Sequence, residues 1–274
     1  MSEKVNLAAY FERIGFSGSI APTLATLEQL HALHPAAIPF ENLDAFLGLP
    51  VPLDQHSLEH KLLHNRRGGY CFEQNLLFMR VLQTLEFEVR GYAGQGLWWN
   101  PDPAGRGPSH MCLVVDIAGV SYLADVAFGS CTLTAPLKLR TEVEQTTPND
   151  TFRLMPIGDG FRLEVKFNEV WRPAYQFELT EPTDADYAAL SAEIAAKQHQ
   201  AGLLIAARVQ PGLRTTLRHN LLSTYRPGEE RDRRILTSVE DIRAALSDTF
   251  GIALPTSDLL DPALAQMLAT HTES

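Results

Sequence analysis

The first third of the chain places apolar residues at a helical period. In TLATLEQLHALH, Leu24, Leu27, Leu30 and His31 recur at the spacing of one helix face, and Pro22 precedes them where a helix can start. SLEHKLLH at 57–64 predicts a short helix with Ser57 as its N-cap. After a glycine break at Gly68-Gly69 comes the apolar run Phe72 to Phe87. Its length and straight-chain residues favour a buried helix over a strand. His31, His34, His56, His60 and His64 all fall on these first helices and read as solvent-facing.

From about residue 88 the period shortens. VRGYAGQGLWW, SHMCLVVDIAG, VSYLADVAFG, FRLMPI, FRLEVKF and VWRPAYQFEL are short β-rich segments separated by Gly, Pro, Asp and Asn. Strands at such regular spacing predict an antiparallel sheet or barrel. VDIAGVSYLADV reads as a hairpin turning near Ala118-Gly119. Beyond Glu181-Pro182, DADYAALSAEIAAKQHQ is Ala-rich and helical, acidic in its first turn and ended by Gly202. Two or three strands drawn from LLIAARV, RTTLRHN, LLSTYR and RRILT follow, then helices at 239–249 and about 257–270. The order is helical, then β, then mixed α/β.

Composition narrows the function classes. Of 274 residues, 45% are hydrophobic and 20% charged, ordinary for a globular chain with a sizeable core. The start, MSEKVNLAAYFERIGF, has no basic region followed by an apolar run, so no secretory signal is read there. The longest apolar stretches, at 113–115 and 203–207, are far too short to span a bilayer, so a soluble cytoplasmic protein without a membrane partner is expected. The net charge of −10 argues against nucleic acid. The charge is uneven: residues 208–243 carry eight arginines against five acids. That run suits a phosphorylated cofactor or, more simply, a solvated strand face. The three cysteines, Cys71, Cys112 and Cys131, have no CxxC spacing, so no disulfide framework or metal site is expected.

The sharpest segment is Arg66-Arg67-Gly68-Gly69-Tyr70-Cys71-Phe72-Glu73-Gln74-Asn75. The glycine pair permits close backbone approach, and Cys71 falls in the first turn of the buried helix. Free amides and the positive helix end there favour a thiolate and a developing oxyanion. A single cysteine is most often a small core residue; the glycines before it and the helix after it point to a nucleophile. Such a thiol needs a base and the base an orienting group. His110 opens a hydrophobic strand, with Cys112 and Val114 on the same face. Asp125 lies on the next strand among Leu123, Val126 and Phe128, where an acid is costly unless paired. Cys71, His110 and Asp125 therefore form the expected catalytic triad, in the layout of cysteine proteases.

RGGYCFEQN at 67–75, PFENLD at 39–44, SHMCLVVD at 109–116 and YLADVAFGS at 122–130 resemble the arylamine N-acetyltransferases in content, order and spacing. The resemblance is dense from about residue 5 to 180 and persists in LLIAARV and TLRHNLLS. It implies an α+β, multi-domain fold: a helical bundle at 1–87 carrying the nucleophile, an antiparallel β-barrel at 88–182 carrying His110 and Asp125, and an α/β lid at 183–274. It also implies ping-pong transfer, in which acetyl-CoA acylates Cys71 and an aromatic amine or hydrazine takes the acetyl group. Glu41 and Arg67 correspond to the family's structural ion pair. Phe128 and Trp98 correspond to the lining of the acceptor pocket, and Phe40 and Tyr70 are further candidates for a dry aromatic wall.

Two places differ from the family pattern. Ala127 stands where glycine is usual, which would strain a left-handed backbone or narrow the pocket by a methyl group. Segment 187–201 reads YAALSAEIAAKQHQA, where relatives carry an aromatic-rich stretch with Ser-Thr-His-Pro in a region that contributes to CoA binding. The alternative function keeps the triad and takes a different acyl thioester, as in amide synthases that act on carrier-bound chains. Thiol hydrolysis of the papain or transglutaminase kind, or binding without catalysis, are the remaining readings.

Overall fold

The computed structural model of the protein describes residues 4–167 and 169–270. Residues 1–3 and 271–274, at the outer ends of the first and third predicted parts, lie outside them.

The helical part holds α1 (Leu7–Ile14), α2 (Leu24–Ala37), α3 (Leu43–Phe46), α4 (Gln55–Glu59) and α5 (Cys71–Thr84), with the two-residue strand β1 (Phe40–Glu41) between α2 and α3. Thr23 caps α2 by accepting from the Thr26 amide. Asp54, not Ser57, caps α4: its side chain accepts from the Ser57 amide, and the helix continues as a π-turn over His60–His64. Ser57 is thus the residue being capped. His56, His60 and His64 are exposed. His31 and His34, by contrast, are fully buried on α2, correcting the solvent-facing reading. His31 already stood on the apolar stripe of that helix, and burial follows from that position.

An eight-stranded antiparallel sheet fills the middle of the chain: β2 (Glu88–Gly96), β3 (His110–Ile117), β4 (Val120–Ala124), β5 (Leu137–Lys138), β6 (Gln145–Thr146), β7 (Thr151–Ile157), β8 (Gly160–Phe167) and β9 (Val170–Glu178), in the order β5-β4-β3-β2-β9-β8-β7-β6. The β3–β4 hairpin turns at Ala118-Gly119, both with positive φ (49° and 78°), as a two-residue turn of matching twist requires. The sheet nearly closes into a barrel. Between its two edges the Gln145 side chain bonds the Lys138 backbone twice, at 2.8 and 2.9 Å. Along β3 the alternation sorts the two faces: Met111, Leu113 and Val115 join the core under the helices, while Cys112 and Val114 join the barrel interior.

The last third adds α6 (Asp184–Gln200), then β10 (Ile205–Gln210), β11 (Leu213–Arg218), β12 (Leu221–Tyr225) and β13 (Asp232–Ile235), and closes with α7 (Val239–Ala244) and α8 (Ser257–Thr270). All four segments form strands, one or two more than the sequence reading, and β1 joins them in a five-stranded sheet ordered β1-β10-β11-β12-β13. A third core lies between this sheet and the last helices, and it includes Leu43 and Phe46 of α3. The second sheet therefore draws a strand and part of its core from the first third.

Candidate active site

The nucleophile candidate is held by a close backbone crossing. The Gly68-Gly69 strand-like segment runs against Pro39–Glu41: the Glu41 amide donates to Gly69 O at 3.0 Å, and the Gly69 amide donates to Pro39 O at 3.3 Å. A methyl group on Gly68 would lie 2.1 Å from Pro39 O, so only glycine fits. This crossing delivers Cys71 as the first residue of α5, 6% exposed, with Sγ 3.9 Å from the Ser109 carbonyl oxygen. First-turn amides of a helix have no intrahelical acceptors and carry the positive end of its dipole, which favours negative charge on the sulfur and on an attacked carbonyl oxygen.

A chain of opposite charges braces the crossing from behind. Arg67 bonds Glu41 (2.8 Å) and Asp44 (2.9 Å); Lys61 bonds Asp44 (2.6 Å) and Glu73 (2.7 Å). Glu41 is fully buried, and its second oxygen accepts from the Leu43 amide at 2.6 Å. Glu41 and Arg67 are thus brought together, within a larger network that also ties Glu73 of α5 to the Tyr70 amide at 3.0 Å.

His110 opens β3, and Asp125 lies one residue beyond the end of β4 rather than within it. The Leu113–Ala124 pair is the last in the β3–β4 ladder, and the chain leaves the sheet there. His110 Nε2 donates to Asp125 Oδ2 at 2.7 Å, with both residues buried. That bond leaves Nδ1 for the Cys71 thiol. Burial alone would lower the His110 pKa, but the Asp125 carboxylate and the nearby sulfur hold it up at about 10. Burial likewise opposes ionisation of Asp125, and His110, Asn75 and the Ala127 amide overcome it, keeping the carboxyl below its ordinary range.

Two residues overlooked in the sequence fix Asp125 in place. Asn75 Nδ2 donates to Asp125 Oδ1 (3.0 Å) and to Met111 O (2.7 Å), while its Oδ1 accepts from the Val126 amide (3.1 Å). The Asp125 amide donates to His31 Nε2 at 3.1 Å. Asn75 had a legible signal, since it stands one helical turn after Cys71, where side chains share a face. The rings of Phe128 and Tyr175 pack 4.8 and 4.7 Å from that of His110. Tyr175 had no such signal: its place follows from the β2–β9 pairing of Gly96 with Tyr175.

Cys71 and His110 open into a cavity of about 530 Å³. Phe40, Tyr70, Trp98 and Phe128 all line it. The Tyr70 hydroxyl is engaged elsewhere, by the carbonyl oxygen (3.0 Å) and hydroxyl of Ser191 on α6. Ile194 and Gln198 bring α6 itself into the wall, so the helix at 184–200 borders the site. Ala127 is buried in the wall and is not among the residues with positive φ; its methyl takes up pocket space without straining the backbone. Cys131 also lines the cavity, whereas Cys112 packs inside the barrel. Five arginines line the cavity, four of them (Arg214, Arg218, Arg231 and Arg233) from the 208–243 run. That run is therefore not merely a solvated strand face. Among the described residues, no group of three or more His, Cys, Asp or Glu could hold a metal ion, and no helix is long and apolar enough to cross a membrane.

The chain is similar to known proteins over most of its length. The profile of the N-acetyltransferase family matches residues 23–259. The chain is 38% identical over 248 residues to the arylamine N-acetyltransferase of Escherichia coli K12, covering 89% of this chain and 88% of that protein. The structure of Mycobacterium marinum arylamine N-acetyltransferase superposes with a TM-score of 0.91 at 33% identity, covering 96% of this chain and 100% of that one. The same enzyme in complex with CoA gives a TM-score of 0.91 at 34% identity, covering 96% and 99%.

Proposed function

The chain belongs to the arylamine N-acetyltransferase family, and on that premise we propose that it moves the acetyl group of acetyl-CoA to aromatic amines and hydrazines through an acetyl-cysteine at Cys71. It is an acyltransferase, and Cys71, His110 and Asp125 are the residues assigned to its chemistry. The observation that carries the reading is the His110–Asp125 pair, 2.7 Å apart and buried, beside a helix-terminal cysteine that opens on an aromatic cavity.

In the first half-reaction His110 already holds the proton, its raised pKa keeping the ring cationic beside the sulfur, and the Cys71 sulfur attacks the thioester carbonyl. The amides at the start of α5 face the resulting oxyanion. As the tetrahedral intermediate collapses, the carbon–sulfur bond to CoA breaks and His110 returns the proton to the departing thiolate. An amine then enters the emptied cavity and attacks the acetyl-cysteine carbonyl. Neutral His110 takes the amine proton, the amide forms, and Cys71 leaves as thiolate. Asp125 stays ionised throughout, holding the ring and stabilising its cationic form.

The aromatic wall supports an aryl acceptor. An arylamine is a weak nucleophile, and a water-poor pocket beside the thioester strengthens the site's electrostatics and limits hydrolysis. Phe128, Phe40 and Trp98 are assigned to that wall, with Tyr70 anchoring it to α6. Glu41 and Arg67 are assigned a supporting role behind the nucleophile. We assign 1–87 to the nucleophile, 88–182 to the base and its orienting acid, and 183–274 to the outer wall. A cytoplasmic location accords with a mechanism that needs Cys71 reduced.

Initial-rate kinetics test the ping-pong order. Varying acetyl-CoA at several fixed arylamine concentrations is expected to give parallel double-reciprocal lines, and free CoA should appear in a stoichiometric burst without amine. Intersecting lines and no burst would contradict a covalent intermediate.

A further inference from the structure

The start of α5 reaches its surroundings in three directions. Glu73, Gln74 and Asn75 are consecutive and buried, and a helix turns each side chain about 100° from the one before. Glu73 accepts from the Tyr70 amide, and Asn75 holds Asp125. Gln74, between them, is fully buried and does not line the cavity. Its Nε2 donates to Gly69 O at 2.5 Å and to Pro39 O at 3.2 Å. Those are the two carbonyls at which the chain segments cross just before Cys71.

Neither carbonyl depends on Gln74 for a partner. Gly69 O already accepts from the Glu41 amide, and Pro39 O from the Gly69 amide. The carboxamide also leaves a need of its own unmet. Its Oε1 has no hydrogen-bond partner among the described residues, although the side chain lies near enough to His34 to favour that ring's charged form. A buried acceptor left empty works against stability. An apolar side chain of the same length would fill the place without that penalty. Gln74 is therefore near neutral for the fold, and what it supplies is geometry. One planar group ties α5 to both segments of the crossing.

We propose that Gln74 is a positioning residue for the Cys71 sulfur. Its carboxamide holds the Gly69 and Pro39 peptides in register with the first turn of α5. Cys71 is thereby fixed against His110 and against the amides that face the developing oxyanion. Only Tyr70 separates Gly69 from Cys71, so a shift of the Gly69 carbonyl passes directly to the sulfur. A displacement of about 1 Å at a reacting atom is enough to slow a step by about a hundred-fold. The assignment rests on Cys71 being the acylated residue.

Gln74→Met tests it, because methionine keeps the length and the burial and removes the donor. In single-turnover acylation by acetyl-CoA, the saturating rate constant at Cys71 is expected to fall by about ten- to a hundred-fold. The acetyl-CoA concentration at half-saturation should stay as in the unmodified protein, since Gln74 does not line the cavity. The urea midpoint should be unchanged or higher. An unchanged rate constant, or a change confined to half-saturation, would overturn the positioning role. A lower urea midpoint would overturn it too, by making the carboxamide part of the fold's stability. Alkylation of Cys71 by iodoacetamide at neutral pH needs no acyl donor and separates the two claims. If acetyl-CoA failed to acylate the unmodified protein while alkylation slowed in Gln74→Met, the acyl-acceptor reading would fall and the positioning of the thiol would stand. Equal alkylation of both proteins in that event would overturn the positioning as well.

Discussion

His31 Nε2 accepts the backbone N–H of Asp125 at 3.1 Å, tying α2 to the end of the β3–β4 hairpin across 94 residues of chain. The bond fixes the peptide that carries the acid of the proposed triad, and only a histidine neutral at that nitrogen can accept it. Burial keeps the ring neutral by pulling its pKa down to about 4, against a smaller opposing pull from Asp125.

His31→Phe would leave a buried amide donor without an acceptor, at about 1–3 kcal/mol. Chemical denaturation is expected to show that loss, and acylation of Cys71 should slow with it. His31→Gln, which can still accept, should lose less. Equal stability of the phenylalanine variant and the unmodified protein would show that the bond does not hold the hairpin.

His31 and His34 also predict how stability follows pH. Their pKa values fall to about 4 and about 3 in the folded state, chiefly through burial, from an ordinary 6.5. Between these values and 6.5 the unfolded chain binds protons that the folded chain does not. Stability should therefore decline on acidification below pH 6.5, by up to about 1.4 kcal/mol per pH unit for each ring. Thermal melts from pH 7 to pH 4 measure the slope, and it should flatten in His31→Gln. An unchanged slope in that variant would remove His31 from the explanation.

Asn75 is predicted to act through Asp125. Asn75→Ala removes one donor to the carboxylate and an acceptor for Val126 N–H, so the acid loses its fixed orientation. Acetylation of Cys71 should slow by about ten- to a hundred-fold, in line with losing one or two positioning bonds in a buried network. Iodoacetamide alkylation across pH separates positioning from general destabilisation. A shifted pH profile in the folded variant supports positioning, and an unshifted profile contradicts it.

Removing Arg67 should be costlier than removing its charge partner. Arg67→Ala leaves Glu41, fully buried, without its bonded cation, a change that typically costs about 3–5 kcal/mol. Glu41→Gln keeps the shape and a polar group, and should cost less. Urea denaturation of both variants gives the comparison, and the reverse ranking would contradict an unpaired buried carboxylate as the source of the cost.

Much of this architecture was legible because its signals are local. The helix after Cys71 announces itself by length and apolar content, and the β3–β4 hairpin by alternation around Ala118-Gly119. Cys71, His110 and Asp125, which the fold brings together, could be picked out because glycine, helix start and an embedded carboxylate each leave a mark within a few residues. What escaped notice depends on pairings far apart in the chain. A strand of two residues, Phe40–Glu41, has no period to read, yet it joins the second sheet to the nucleophile loop. His31 looked exposed because its partner lies in another part of the molecule. The inward turn of the arginines follows from register on β11 to β13, which alternation alone does not reveal for strands polar on both faces. The replaced segment at 187–201 remained helical and still borders the cavity, through Ile194 and Gln198.

The covalent intermediate is the central claim, and intact-protein mass spectrometry addresses it most directly. Exposure to acetyl-CoA without amine should add the mass of one acetyl group, mapped by proteolysis to the peptide containing Cys71. Addition of an arylamine should remove it and release the N-acetyl product, and Cys71→Ser should never acquire it. An unmodified protein at saturating acetyl-CoA, or an acetyl group on any residue other than Cys71, would contradict the account.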